Sequence, residues 1–258
     1  MKRVGMIGGL SYESTSQYYL DINKKAMKRL GGYNQLEIIL ISVNFDEVMY
    51  HANRSDWHKI CYIFINAALR LEKMGAEFII IPCNSFHIVA DKVQQAIDVP
   101  LLNIIDCVGN DIKKRNYSKV ALIGTKFTME NEFYRERLLK KFNIATEIPN
   151  DKDRNELHDI IFNELCHGMF HNTSKNFIRT LCEELHSKSG CEAVILGCTE
   201  LPMILRPKDT SVPLILTTDL HADCVVDFSI EKSPSINGLP IHAVVQTPGG
   251  ACDYSRVL

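Results

Sequence analysis

The sequence predicts an α/β protein made of two similar, doubly wound parallel-sheet domains, with an active site in the cleft between them. Short apolar runs that suit buried strands alternate with longer segments of helical period, which is typical of a parallel sheet covered by helices on both faces. The same series of strand-like segments also occurs twice, about 115 residues apart, and this indicates an internal duplication.

The clearest repeated segments are residues 75–85 and 190–200. Each contains a run of four apolar residues, then a Pro or Gly, then a cysteine followed by small polar residues. Aligning the two copies places Cys83 on Cys198. Two further pairs of segments keep nearly the same spacing and order, namely 3–9 with 119–125 and 99–106 with 212–219.

Apolar runs and helical periodicity define the elements of the first half. In order, we predict a strand at 3–8, a helix at 11–30 capped by Gly31-Gly32, a strand at 36–42, a helix at 56–74 capped by Gly75, the strand before Cys83, a helix through about 95 and a short fourth strand at 99–103. Together they form an N-terminal α/β half at residues 1–105.

The second half repeats this order over residues 106–215. We predict a strand at 119–125, helices at about 129–142, 153–167 and 173–188, the strand before Cys198 and a strand at 212–219. A last helix at 219–229 is expected to pack back on the first half. The remaining tail, 231–258, lacks helical periodicity and is expected to be irregular apart from a possible edge strand at 241–246.

The composition argues against several classes of partner. The net charge of −2 at pH 7 gives no reason to expect nucleic acid or an anionic membrane as a partner. No apolar run approaches the roughly 18 residues of a membrane span, and the run near the N-terminus is too short for a signal peptide. The nine cysteines form no Cys-x-x-Cys pair, so we expect free thiols and a cytoplasmic protein.

Cys83 and Cys198 differ from the other cysteines because each directly follows a predicted strand and precedes polar residues. The segments 84–85 and 199–200 are typical of helix N-termini, where backbone N–H groups lower the pKa of a thiol and bind anions. The alternative of a metal site, based on Cys83 and His87 at i, i+4, lacks two further ligands with suitable spacing. We interpret the other cysteines as buried structural residues.

Three motifs resemble those of the aspartate/glutamate racemase family. They are Ile-Gly-Gly-Leu-Ser-Tyr-Glu-Ser-Thr at 7–15, Pro-Cys-Asn-Ser-Phe-His at 82–87 and Gly-Cys-Thr-Glu-Leu at 197–201. The resemblance covers roughly residues 1–229, and the first motif is similar to the branch that includes broad-specificity amino acid racemases. Family members racemise amino acids without pyridoxal phosphate. The resemblance therefore implies an isomerase with no cofactor that acts on a small amino-acid substrate, and we also expect a homodimer.

The resemblance assigns the catalytic roles to Cys83 and Cys198. In the family, two bases act on opposite faces of the substrate's α-carbon: one thiolate removes the α-proton while the other thiol delivers a proton. Hydrogen-bond donors around the carboxylate stabilise the enolate-like carbanion. We expect the substrate-binding residues in the strand-end turns of both halves, namely Leu10, Ser11, Asn84, Ser85, Thr199 and Glu200.

One segment departs from the aspartate-specific pattern of the family. Those racemases place an arginine shortly after the second strand to hold the side-chain carboxylate, whereas residues 42–51 contain none and Arg54 comes late. A lysine that such enzymes carry further on is replaced by Cys166-His167. We therefore expect neutral polar or medium-sized amino acids to turn over at least as well as aspartate and glutamate, unless Arg54 or Lys126 folds inward. The expected pocket contains Asn44, His51, Asn53 and His167.

Two other functions fit the same pair of cysteines. An enzyme similar to a maleate isomerase or a decarboxylase is one, and a two-cysteine maleate isomerase would form a covalent adduct of measurable mass. A non-catalytic amino-acid-binding or redox-switch protein would join Cys83 and Cys198 in a reversible disulfide. Exchange of the α-hydrogen of an amino acid in D₂O is the observation that favours the racemase.

Overall fold

A computed structural model describes residues 1–230 together with Ser235–Ile236 and Leu239–Pro240. Its first sheet is parallel and has three strands, with β1 (Val4–Gly8) in the centre between β2 (Ile38–Ser42) and β3 (Phe78–Ile80). All residues of β1 and β3 are buried, as expected for strands covered on both faces.

The second sheet is also parallel and has the same strand order with one strand more. Its central strand β4 (Lys119–Ile123) lies between β5 (Ala145–Glu147) and β6 (Ala193–Leu196), and β7 (Leu214–Leu216) pairs with β6 at the edge. The predicted fold class, two similar parallel-sheet units of α/β type, is confirmed.

Helices connect the parallel strands in both halves. The first four are α1 (Tyr12–Leu30), α2 (Phe45–Ala52), α3 (Trp57–Lys73) and α4 (Ala90–Gln95), with a 3₁₀ helix at Ser85–Val89 before α4. The others are α5 (Ile104–Lys114), α6 (Lys126–Glu130), α7 (Glu132–Phe142), α8 (Asp151–Asn163), α9 (Asn172–Ser189), α10 (Leu201–Ile204) and α11 (Thr217–Ile230), with 3₁₀ helices at Leu165–His167 and Pro207–Asp209. Since α5 crosses the expected boundary at residue 105, the division into 1–105 and 106–215 stays a prediction.

A pair of equivalent glutamates shows the duplication in atomic detail. The carboxylate of Glu77 accepts the backbone N–H of Arg3 at 2.8 Å, and the carboxylate of Glu192 accepts the backbone N–H of Lys119 at 2.9 Å. In return, the N–H of each glutamate donates to the carbonyl of its partner at 2.8 Å. Both halves therefore fix the start of their central strand with the same contact.

The last long helix returns to the first half. Val225 and Phe228 of α11 belong to the same buried cluster as Met6 of β1 and Ile22 of α1. His221 also attaches α11 to the first half, because its Nδ1 lies 3.1 Å from the Tyr18 hydroxyl and its Nε2 lies 3.0 Å from the Leu102 carbonyl. Burial lowers the pKa of His221 to about 4.

Four details differ from the sequence-based expectations. The predicted strand at 99–103 is reduced to a single bridge between Leu101 and Ile79, because Asn103 caps α5 directly afterwards. The helix expected at 129–142 is two helices that meet at Asn131. The short helix α2 and strand β5 were not predicted. Within the tail expected to be irregular, Ser235–Ile236 pairs antiparallel with Leu239–Pro240, and the suggested strand at 241–246 lies outside the described residues.

Candidate active site

A small cavity of about 30 Å³ lies beside the carboxyl ends of β3 and β6, where the two halves meet. Both predicted catalytic cysteines line it, and so do five of the six predicted substrate-binding residues: Leu10, Asn84, Ser85, Thr199 and Glu200. The sixth, Ser11, reaches the site through its hydroxyl group, which donates to the Glu200 carboxylate at 2.7 Å. The topology therefore brings together two segments that are far apart in sequence.

Cys83 is held by the turn that ends β3. Its backbone N–H donates to the Ile81 carbonyl at 2.8 Å, and the 3₁₀ helix begins two residues later at Ser85. The side chain is half-buried. Burial has the largest effect on the pKa of Cys83 and raises it, whereas the N–H groups of Phe86 and Ser85 act in the opposite direction.

Cys198 has a different partner. Its Sγ donates to the Oε2 atom of Glu200 at 2.9 Å, and the Thr199 hydroxyl donates to the same oxygen at 2.7 Å. The thiol of Cys166 donates more weakly to Oε1 at 3.8 Å. Only 3% of Glu200 is exposed, so this carboxylate is a buried acceptor that holds the Cys198 proton.

The net effect on both thiols is opposite to the sequence-based expectation of lowered pKa values. Burial raises the pKa of Cys83 to about 12, although the backbone N–H groups act in the other direction. Burial also raises the pKa of Cys198 well above its usual value, and the charge of Glu200 adds to the shift. The first turns after β3 and β6 do supply N–H donors, but in this closed cavity desolvation outweighs them.

His87 is a structural residue. Its Nδ1 lies 2.7 Å from the Cys83 carbonyl, and its Nε2 accepts the N–H of Ile104 at 3.1 Å, which requires a neutral ring with the proton on Nδ1. Burial lowers its pKa to about 3. Both ring nitrogens are therefore occupied, and the described residues contain no group of three or more potential metal ligands.

Two of the predicted substrate-binding side chains, Asn84 and Ser85, bind hydroxyl groups from later parts of the chain. The Asn84 amide donates to the Thr217 hydroxyl at 2.9 Å, and this hydroxyl donates to the Leu196 carbonyl at 2.9 Å. The Ser85 hydroxyl lies 2.8 Å from that of Thr125 and 2.9 Å from that of Thr128. These contacts hold the cleft closed in this structure.

Apart from Thr125 and Cys166, apolar side chains form the rest of the cavity wall. They are Phe45 and Met49 of α2, Phe86 of the 3₁₀ helix, Phe127 of α6, and Ile161 and Phe162 of α8. The polar side chains expected in this place (Asn44, His51, Asn53 and His167) do not line it. The expectation of a polar pocket was wrong, because α2 directs its i, i+4 pair of apolar residues at the cavity.

Two hydroxyl residues of the site were not predicted from the sequence. Thr125 lines the cavity, and Thr128 completes the hydroxyl cluster around Ser85. From the Cys166-His167 segment, which was expected to line the side-chain pocket, Cys166 does line the cavity. A signal for Thr125 was available, because it aligns with Gly9 in the repeat and therefore had to follow the central strand of the second half.

Comparison with known proteins decides the family. The model of the Asp/Glu/hydantoin racemase family matches residues 7–225 of this sequence. The chain belongs to this family. The resemblance noted from the three sequence motifs is thereby confirmed, and with it the interpretation of the chain as an enzyme.

Individual proteins of the family are similar to this chain in sequence and in structure. RacX of Bacillus subtilis (strain 168), a broad specificity amino-acid racemase, is 25% identical over 218 residues, which cover 82% of this chain and 91% of RacX. A candidate Asp/Glu racemase from Yersinia pestis superimposes with a TM-score of 0.83 at 39% identity, and an aspartate racemase homologue from Pyrococcus horikoshii OT3 with 0.79 at 38%. Each of these two alignments covers 90% of this chain and 100% of the other.

The described part of the chain has no helix that is both long and apolar enough to cross a membrane. Its eight described cysteines are all free thiols.

Proposed function

We propose that this protein is an amino-acid racemase that interconverts L- and D-amino acids with Cys83 and Cys198 as its two bases and without pyridoxal phosphate. The observation that supports this most is the position of the two thiols. They come from equivalent places in the two halves and line one cavity. Family membership supports the same chemistry.

The proposed reaction moves one proton onto and one proton off the α-carbon. A thiolate on one face removes the α-proton and becomes a thiol, while the thiol on the opposite face gives its proton to the carbanion and becomes a thiolate. The proton count of the enzyme is unchanged, and the next turnover can run in the reverse direction. The backbone N–H groups that follow each cysteine are suited to stabilise the enolate-like carboxylate.

The surroundings of the two thiols are unequal. Burial raises the pKa of both, but backbone N–H groups oppose this shift at Cys83, whereas the charge of Glu200 adds to it at Cys198. We therefore propose that Cys83 is the thiol that more readily becomes the thiolate base, with Cys198 as the proton donor. Glu200 acts as a positioning residue in this scheme, because it orients the Cys198 thiol through the 2.9 Å hydrogen bond.

The cleft must open to admit a substrate. A cavity of about 30 Å³ is far smaller than the roughly 300–1,000 Å³ of typical small-ligand pockets. An amino acid is several times larger. Closure around the bound substrate would exclude water and strengthen the electrostatic contacts to the carbanion.

Two single variants test the mechanism. Cys83→Ser and Cys198→Ser should each abolish racemisation, because a serine hydroxyl without its own activator is a far weaker base than a thiolate. Each variant should exchange the α-proton of at most one enantiomer in D₂O, measured by NMR, since one base survives. Cys182→Ser is the matched control, because this buried thiol lies away from the cavity, and it should keep activity. Near wild-type racemisation by Cys83→Ser would contradict the two-base mechanism.

Three further features belong to the same proposal. Activity should be indifferent to added pyridoxal phosphate and to chelators, the enzyme should be a homodimer, and it should act in the cytoplasm. Light scattering coupled to size-exclusion chromatography measures the oligomeric state directly.

A further inference from the structure

We infer that the preferred substrates of this enzyme are amino acids with apolar side chains, such as methionine and leucine, rather than aspartate or glutamate. This inference rests on the proposed function and names its substrate class. It follows from the chemistry of the cavity wall, which is apolar, apart from Thr125 and Cys166, wherever it is not formed by the two strand-end turns around the thiols.

Both halves contribute apolar groups to this wall. Phe45 and Met49 project from α2 one helical turn apart, and Phe127 and Phe162 face the same cavity from the second half. All four side chains are only partly buried, as expected for groups at the mouth of a closed cleft. A substrate side chain that enters between these four groups leaves water and gains apolar contacts. This transfer favours an apolar side chain.

Aromatic contacts continue this wall across the two halves. The ring of Trp57 on α3 meets that of Phe127 edge-on at 6.4 Å. The imidazole of His158 lies between Phe127 and Phe162, at 6.1 and 4.7 Å. Burial lowers the pKa of His158, and the charge of Lys126 lowers it further, so this imidazole is neutral at pH 7 and offers no cation to an acidic substrate.

The two cations considered as partners for a side-chain carboxylate do not line the cavity. The guanidinium of Arg54 lies 3.7 Å from the centre of the Tyr50 ring and donates to the Tyr50 carbonyl at 3.1 Å. Lys126 lines a separate surface depression together with Arg135 and Arg154. Among the described residues that line the cavity, none is an arginine, lysine or histidine.

The one charge on the described cavity lining has the wrong sign for an acidic substrate. Glu200 is buried, and its carboxylate already accepts from Ser11, Thr199 and Cys198 at 2.9 Å or less. A second carboxylate on the substrate side chain would be desolvated near this negative charge without a cation, which is unfavourable. An apolar side chain avoids this cost.

A panel of L-amino acids tests the inference on the wild-type enzyme. We expect kcat/KM for racemisation of methionine and leucine to exceed that of aspartate and glutamate by at least 100-fold. Homoserine has a hydroxyl group on a chain similar to that of methionine, and its kcat/KM should be lower than that of methionine. An equal or higher kcat/KM for aspartate would overturn the inference while leaving the racemase itself intact. Absence of α-hydrogen exchange with every amino acid, in folded protein, would overturn both proposals.

Variants of Met49 then test whether the wall sets the preference. Met49→Arg places a cation where the wall is apolar and should raise the aspartate-to-methionine ratio of kcat/KM at least tenfold. Glu47→Gln is the matched control, because it changes the net charge by the same amount on the exposed side of α2 and should leave the ratio unchanged. Met49→Leu keeps the wall apolar and should preserve the wild-type preference. A ratio in Met49→Arg that equals the ratio in Glu47→Gln would contradict a role for this wall.

Discussion

Replacing Ser11 by alanine should destabilise the protein substantially, because one buried hydroxyl makes two contacts. As the N-cap of α1, Ser11 accepts the N–H of Ser14 at 3.2 Å. The same hydroxyl donates to the Glu200 carboxylate at 2.7 Å, across the cleft between the halves. Only 4% of Ser11 is exposed, so water cannot replace either partner in the variant.

The expected loss follows from these two contacts. Removing a helix N-cap costs about 1 kcal/mol, and removing a buried hydrogen bond to a charged acceptor costs about 1.5–3 kcal/mol. The sum is about 2.5–4 kcal/mol, which corresponds to a fall in Tm of roughly 5–15 °C for a chain of this size.

Thermal unfolding followed by circular dichroism measures this fall. Ser16→Ala is the matched control on α1, because Ser16 is exposed, and its Tm should change by less than about 2 °C. Ser11→Thr keeps a hydroxyl at the N-cap and should recover part of the loss. A Tm of Ser11→Ala within about 2 °C of the wild type would refute the view that this hydroxyl joins the two halves.

Three further predictions concern the thiols and the cleft. Glu200→Gln should make Cys198 react faster with iodoacetamide at pH 8, because the carboxylate raises the pKa of this thiol; peptide mass spectrometry gives the rate, and an unchanged or slower rate would contradict the assignment. The Tm should fall as the pH rises from about 9 towards 12. Burial raises the pKa of folded Cys83 to about 12, whereas the thiol of an unfolded chain ionises at about pH 8.5, so rising pH favours the unfolded state. The fall in Tm should be smaller in Cys83→Ser. Trp57 is the single tryptophan of the sequence and contacts Phe127 of the other half, so its fluorescence should change saturably as an amino-acid substrate opens and closes the cleft, and Phe127→Ala should reduce that change.

The meeting of Cys83 and Cys198 could be predicted because local and repeated signals agreed. Each cysteine directly follows a buried strand, and the carboxyl ends of parallel strands share one edge of a sheet. The repeat then places both edges in equivalent positions. These signals lie within short segments of sequence, so they can be read without knowledge of the tertiary packing.

The wall of the cavity could not be predicted in the same way. Residues 45–52 place apolar groups at Phe45, Val48, Met49 and Ala52, which is helical spacing over only about two turns. Without an assigned helix, the polar Asn44, His51 and Asn53 looked like the functional residues. Once α2 forms, Phe45 and Met49 share a face and point inward. The upward shift of the thiol pKa values was equally hidden, since desolvation depends on residues from both halves.

The unlike residues at equivalent places in the repeat, Ser85 in one half and Glu200 in the other, have a kinetic consequence. L- and D-enantiomers have equal free energies, so the equilibrium constant of racemisation is one, and kcat/KM must be identical in the two directions. No difference between the two thiols can therefore raise kcat/KM for one enantiomer above kcat/KM for the other. The unequal surroundings of Cys83 and Cys198 can appear only as compensating differences in kcat and KM, with the enantiomer that binds more tightly also turning over more slowly.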